Sequence, residues 1–113
     1  MSKIAYKVLT KDQMAEFLRE QSFAGAPVDL DDGYIHLSAE PQLAETIDKH
    51  FAGQSSLFVA AVDLDALGDA VKWEESRGGA LFPHIYAELP LSAVPAYGPL
   101  SREDDGTVIL PGT

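Results

Sequence analysis

The run Leu57-Phe58-Val59-Ala60-Ala61-Val62 constrains the fold more than any other part of the chain. Six nearly continuous apolar residues are too few for a helix of ordinary length, and they do not alternate with polar residues. They read as a strand buried on both faces. A chain with such a strand must supply covering elements for both sides of the sheet.

Ile4, Tyr6 and Val8 alternate with Ala5 and Lys7, which predicts a first strand. Thr10 can cap the helix that follows, Gln13 completes a capping box, and Met14, Phe17 and Leu18 form its apolar stripe, with an end near Gln21. Ser38 can cap a second helix that takes Pro41 in its first turn, buries Leu43, Ile47 and Phe51, and stops at Gly53. Further strands are predicted over Ala70 to Glu74, His84 to Leu89, Val94 to Leu100 and Val108 to Leu110. The Ser76-Arg77-Gly78-Gly79-Ala80 tract between two of them has the composition of a mobile loop or lid. With no repeat or long linker, residues 1–113 are expected to form a single α+β domain of small mixed or antiparallel sheets and two main helices.

The segment Phe23 to Gly33 holds Gly25, Pro27, Asp29, Asp31, Asp32 and Gly33 and reads as a loop. Counting Asp29 as a first calcium ligand places Glu40 at the twelfth position, but Gly33 is then one position early and a strand begins inside the count. A solvated acidic loop is the expectation.

Charge and composition narrow the function. Eighteen acidic against eight basic residues give a net charge of −10, which opposes attraction to bulk nucleic acid or to an anionic membrane. No apolar run approaches the roughly 20 residues that cross a bilayer, and the first residues lack a secretory pattern, so a soluble cytoplasmic protein is expected. There is no cysteine, which leaves oxygen and nitrogen as nucleophiles. Local cations could still hold a small phosphorylated ligand.

Two histidines carry the candidate chemistry. In Asp32-Gly33-Tyr34-Ile35-His36-Leu37-Ser38, alternation puts Tyr34, His36 and Ser38 on one face and Ile35 and Leu37 on the other. Downstream, Phe82, His84, Tyr86 and Glu88 share a face opposite Ile85, Ala87 and Leu89. Neighbouring strands would bring the two imidazoles within about 5 to 8 Å, a distance suited to proton transfer or to gripping ribose and phosphate oxygens. His36 and His84 are therefore the catalytic candidates, with Tyr34, Ser38 and Tyr86 beside them as ligand contacts. Lys72-Trp73-Glu74-Glu75-Ser76-Arg77 adds Lys72 or Arg77 for phosphate, Trp73 for stacking and Glu74 as the carboxylate nearest the histidines. His50, beside Phe51 near a helix C-terminus, reads as a surface residue. Ligand spacing such as His-x-His is lacking, and no metal site is expected.

In combination and order, Asp-Gly-Tyr-Ile-His-Leu-Ser, Lys-Trp-Glu-Glu-Ser and Phe-Pro-His-Ile-Tyr resemble the markers of a short bacterial family, domain of unknown function 952, across nearly the whole chain. That family is similar to the ADP-ribosyltransferase-like superfamily, and Ile35 to Ser38 also resembles a segment of its tRNA 2′-phosphotransferases. The resemblance implies a cleft between two small sheets that grips NAD or an ADP-ribosylated substrate, with the His36 strand on the nicotinamide-ribose side. NAD is the cofactor it implies, and transferase or hydrolase activity on an NAD-related ligand is the reaction class. Two other readings fit the residues: a two-histidine cyclic phosphodiesterase, with His36-Leu37-Ser38 as one of its motifs, and a non-catalytic regulatory or protein-binding module.

Overall fold

The structure, a computed structural model, describes residues 3–76 and 79–111. The apolar run is the middle of a three-stranded antiparallel sheet. Strand β4 (Phe58–Asp63) lies between β1 (Ile4–Leu9) and β8 (Ala96–Pro99), with Tyr6 opposite Ala61 on one side and Tyr97 opposite Ala60 on the other. Alternation divides its side chains between two cores. Val59 and Ala61 join Tyr6, Val8, Leu43 and Ile47, whereas Ala60 and Val62 join Ala5, Leu9, Met14 and Phe17.

Helix α1 (Lys11–Glu20) covers the second of these faces through Met14 and Phe17. Its start is the expected capping box: the Gln13 amide N–H donates to Thr10 Oγ1 at 3.1 Å and the Thr10 N–H to Gln13 Oε1 at 2.9 Å. Gln21 ends it in the left-handed region at φ 60°, its N–H donating to the Phe17 carbonyl. The first face is covered by α3 (Leu43–His50), entered through a 3-10 turn at Glu40–Gln42. Ser38 does not cap this helix, because Ala39 begins the turn and Gln42 reaches back to the Ala39 N–H. The Ser38 hydroxyl instead meets Thr46 Oγ1 at 2.9 Å. The helix stops at His50, before Gly53, whose φ of 76° falls in the following turn.

A second antiparallel sheet has the order β3 (Ile35–His36), β6 (Leu81–Ile85), β5 (Val71–Glu75). Its Ile35 and Ile85 pack into the core beneath α1. Two short strands, β2 (Ser22–Phe23) and β7 (Leu89–Pro90), pair beside it. The strand expected over His84 to Leu89 is thus two pieces, with Tyr86, Ala87 and Glu88 exposed between them. A hairpin of β9 (Ser101–Arg102) and β10 (Val108–Ile109) carries the acidic turn.

The segment after Asp32 joins the two sheets. His36 is in register with His84, the Leu37 N–H donates to the Pro83 carbonyl at 3.0 Å, and Ser38 then exchanges backbone bonds of 2.8 and 2.9 Å with Tyr6 on β1. Within three residues the chain changes partner from one sheet to the other, which leaves a cleft flanked by β1 and β6.

The expected acidic loop is also corrected. Residues Pro27–Asp32 form a short helix, α2, with proline in its first turn and Gly33 at φ 87° closing it. Asp29 faces inward from it and is 1% exposed, which removes both the solvated-loop and calcium readings.

Candidate functional site

The cleft has a volume of about 590 Å3, and its lining includes Lys7, His36, Ser38, Thr46, Phe82 and His84. That size suits a small organic ligand. Of the candidates from the sequence, His36, Ser38 and His84 meet here. Tyr34 and Tyr86 line a separate recess of about 260 Å3, although Tyr34 stacks on the His84 ring with centroids 4.2 Å apart. The imidazoles of His36 and His84 are edge to face at 5.3 Å, within the separation expected of paired strands.

His36 is held by a buried charge network that the sequence reading did not find. Asp29 Oδ1 accepts from His36 Nδ1 at 2.6 Å and from the His36 backbone N–H at 3.1 Å, while Oδ2 accepts from Lys7 Nζ at 2.9 Å and the Ala26 N–H at 2.8 Å. Lys7 Nζ also donates to the His36 carbonyl at 3.0 Å, and His36 Nε2 lies 3.0 Å from Asp32 Oδ2. Both ring nitrogens of His36 therefore face carboxylates. Burial pushes the Lys7 amine down, against the opposing charge and hydrogen bond of Asp29. For Asp29, burial acts upward, but the hydrogen bond from His36 and the charge of Lys7 outweigh it and bring the carboxyl to about 2.

That value predicts an acid-labile contribution. The carboxyl's ordinary value is 3.8 and its folded value about 2, so the folded state favours the ionised form. By linkage the difference is worth about 2 kcal/mol, present in full above about pH 4 and lost as the pH falls towards 2. Urea unfolding followed from pH 5 to pH 2 should show this loss, and Asp29→Asn should lack it. Parallel pH profiles for the two proteins would contradict the assignment.

His84 is built differently. It is 2% exposed, and its Nδ1 lies 2.8 Å from Glu74 Oε1, which also accepts the Tyr86 hydroxyl at 2.7 Å. These two hydrogen bonds hold the Glu74 carboxyl below its usual range. The one from Tyr86, with burial adding to it, pushes that phenol up to about 12, so it remains a donor. Lys72 lies opposite His84 across the β5–β6 ladder, and its ammonium sits 5.0 Å from the Tyr86 ring centre. Among the described residues, His84 Nε2 is buried and has no hydrogen-bond partner.

The remaining candidates fall elsewhere. Trp73 lies opposite Pro83 and packs against the core below α1, so it does not wall the cleft. On β5, side chains alternate, and Lys72 and Glu74 take the histidine face while Trp73 takes the other. Arg77 lies outside the described residues, as does part of the expected lid; Ser76 lines the cleft, and its N–H donates to the Ala80 carbonyl. His50, exposed as expected at the end of α3, borders the cleft as well. The sequence held one signal for the missed pair: Lys7 shares a strand face with Ala5 and Leu9, and an inward lysine requires an inward carboxylate. No group of three or more His, Asp or Glu side chains among the described residues is placed to hold a metal ion.

Fold and site together define a small α+β protein with a histidine-lined cleft between two antiparallel sheets. The chain matches the family described as "Protein of unknown function (DUF952)" over residues 8–97, and it belongs to that family. It is similar to the crystal structure of protein CC0527 from Caulobacter crescentus, with 43% identity and a TM-score of 0.85 over 95% of this chain and 94% of that one. The solution NMR structure of the same Caulobacter protein matches with a TM-score of 0.80, over 95% and 91% of the two chains. No curated protein matches the chain. Among the described residues no helix is long and apolar enough to cross a membrane.

Proposed function

We propose that the cleft binds a nucleotide-like small molecule of the NAD or ADP-ribose class, as the ADP-ribosyltransferase-like resemblance implies, and that the protein works in the cytoplasm, as the lack of a secretory pattern in its first residues suggests. The observation that carries this reading is His84: a buried imidazole, anchored through one nitrogen and unpartnered at the other, in the wall of a cavity of small-molecule size. The Ser38 and Thr46 hydroxyls, bonded to each other, supply further polar groups in the same lining. His84 is the group assigned to the ligand. His36, with both ring nitrogens engaged by carboxylates, positions the strand and the adjacent ring. Lys72 and Tyr86 act behind this wall through the Glu74 side, and Tyr34 fixes the plane of the His84 ring by stacking. The net charge of −10 keeps bulk nucleic acid outside the expected partners.

A two-histidine phosphodiesterase needs two imidazoles that each offer a nitrogen to substrate. His36 offers none in this arrangement, and that reading ranks behind nucleotide binding. Histidine ring resonances followed by NMR during titration with NAD, ADP-ribose and 2′,3′-cyclic AMP separate the two. Saturable shifts of His84 with NAD or ADP-ribose are expected. Silence of both rings towards all three compounds would exclude a nucleotide ligand, and hydrolysis of the cyclic nucleotide alone would promote the phosphodiesterase.

A further inference from the structure

We infer that His84 Nε2 is a hydrogen-bond acceptor for a ligand hydroxyl, so that the cleft selects ribosyl ligands over their deoxy counterparts. This rests on the reading of the cleft as a ligand site and adds to it the polarity of one contact. Glu74 Oε1 receives two donors, His84 Nδ1 and the Tyr86 hydroxyl, and an ionised carboxylate can only accept. The Glu74 carboxyl is held in that ionised form by the same two bonds. With Nδ1 committed as the donor to Glu74, a ring that carries a single proton holds it there, and the lone pair is left on Nε2. The nearest imidazole does not satisfy it, because His36 directs Nδ1 to Asp29 and Nε2 to Asp32. Tyr34 covers one face of the His84 ring with a near-parallel stack at 20°, and because the Nε2 lone pair lies in the ring plane a donor approaches it along the ring edge.

A buried acceptor without a donor costs free energy, and a ligand that brings an O–H recovers it. A ligand lacking that group leaves the acceptor unpaired in the complex. Sites built to bond a hydroxyl discriminate strongly against its absence for this reason.

Two measurements on the intact protein test the inference. Long-range 1H–15N spectra of the free protein at neutral pH should show His84 protonated at Nδ1 and bare at Nε2. Calorimetric titration with ribose 5-phosphate and 2-deoxyribose 5-phosphate, and with NAD and its 2′-deoxyribosyl and 3′-deoxyribosyl analogues, should favour the full hydroxyl set by about tenfold within at least one series. Glu74→Gln, at a half-exposed position that should leave folding intact, is expected to release the tautomer and reduce this preference; His84→Gln should abolish it. A proton on Nε2 in the free protein, or equal affinities for hydroxyl and deoxy ligands throughout, overturns the inference. Equal binding of NAD and its deoxy analogues leaves nucleotide binding standing. If NAD and ADP-ribose do not bind while ribose 5-phosphate is still preferred over its deoxy form, the nucleotide reading falls and the hydroxyl contact stands.

Discussion

Asp29→Ala is expected to destabilise the protein by about 3–5 kcal/mol, as removal of one partner from a buried ion pair generally does. The reason lies in what remains. Lys7 is 6% exposed, and without Asp29 its ammonium keeps, among the described residues, only the His36 carbonyl as a hydrogen-bond acceptor. The Ala26 N–H, the His36 N–H and His36 Nδ1 lose their acceptor at the same time. All four contacts converge on one carboxylate, which ties α2, β1 and β3 together. Lys7→Met is expected to cost less, because Asp29 then keeps three of its four donors and the methionine fills the buried space of the lysine stem. Urea denaturation with an unchanged slope measures both losses. A milder loss for Asp29→Ala than for Lys7→Met would show that the carboxylate is not the hub.

This network marks the boundary of what the chain reveals before folding. Local signals were legible where the physics is local: the Thr10–Gln13 box needs only a spacing of three, and the strand at Leu57 to Val62 needs only uninterrupted apolar residues. The face shared by His36 and Tyr34, and that shared by His84 and Tyr86, followed from strand parity, and the pairing of β3 with β6 brought them together. Asp29 was hidden because it lies among Asp31 and Asp32 in a stretch rich in turn residues. Its burial is decided by Lys7, 22 positions earlier, and no window around Asp29 contains that information. Pro27 at the helix start, with Asp29 two residues on reaching back to the Ala26 N–H, was the local sign of a helix rather than a loop.

Trp73 teaches a different point. Its size suggested a stacking wall, but parity on β5 separates it from Lys72 and Glu74, and the ladder to β6 fixes which pair faces the histidines. Glu74 was favoured from the sequence as the carboxylate of the histidine cluster, and it lies 2.8 Å from His84 Nδ1. Tyr34 and Tyr86 were expected in the cleft itself. They lie behind it because the His84 ring stands between Tyr34, which stacks on it, and the cavity whose wall it forms. Alternation assigns a side chain to a face; it does not say which of two recesses on that face the side chain enters.

Phe17→Ala is expected to cost about 3–5 kcal/mol by the loss of a fully buried aromatic ring and the cavity left behind. Helix α1 has ten residues and would be marginal alone in water, so its order depends on docking Met14 and Phe17 under the β1–β4–β8 sheet. Phe17 is 0% exposed and meets Phe23 with ring centres 5.7 Å apart. Phe23 in turn lies 6.0 Å from the Lys7 ammonium, so loosening α1 also loosens the apolar packing beside the buried ion pair. The damage should therefore extend from the helix to the charge network. Phe17→Leu should restore most of the stability, because a smaller cavity remains and no polar group is exposed to the core. In a double-mutant cycle with Lys7→Met, chemical denaturation should give a coupling of at least about 0.5 kcal/mol, the lower bound for sites that share a packed neighbour. Strict additivity would mean that the core under α1 and the Lys7–Asp29 network are independent, despite the Phe23 ring that lies between them.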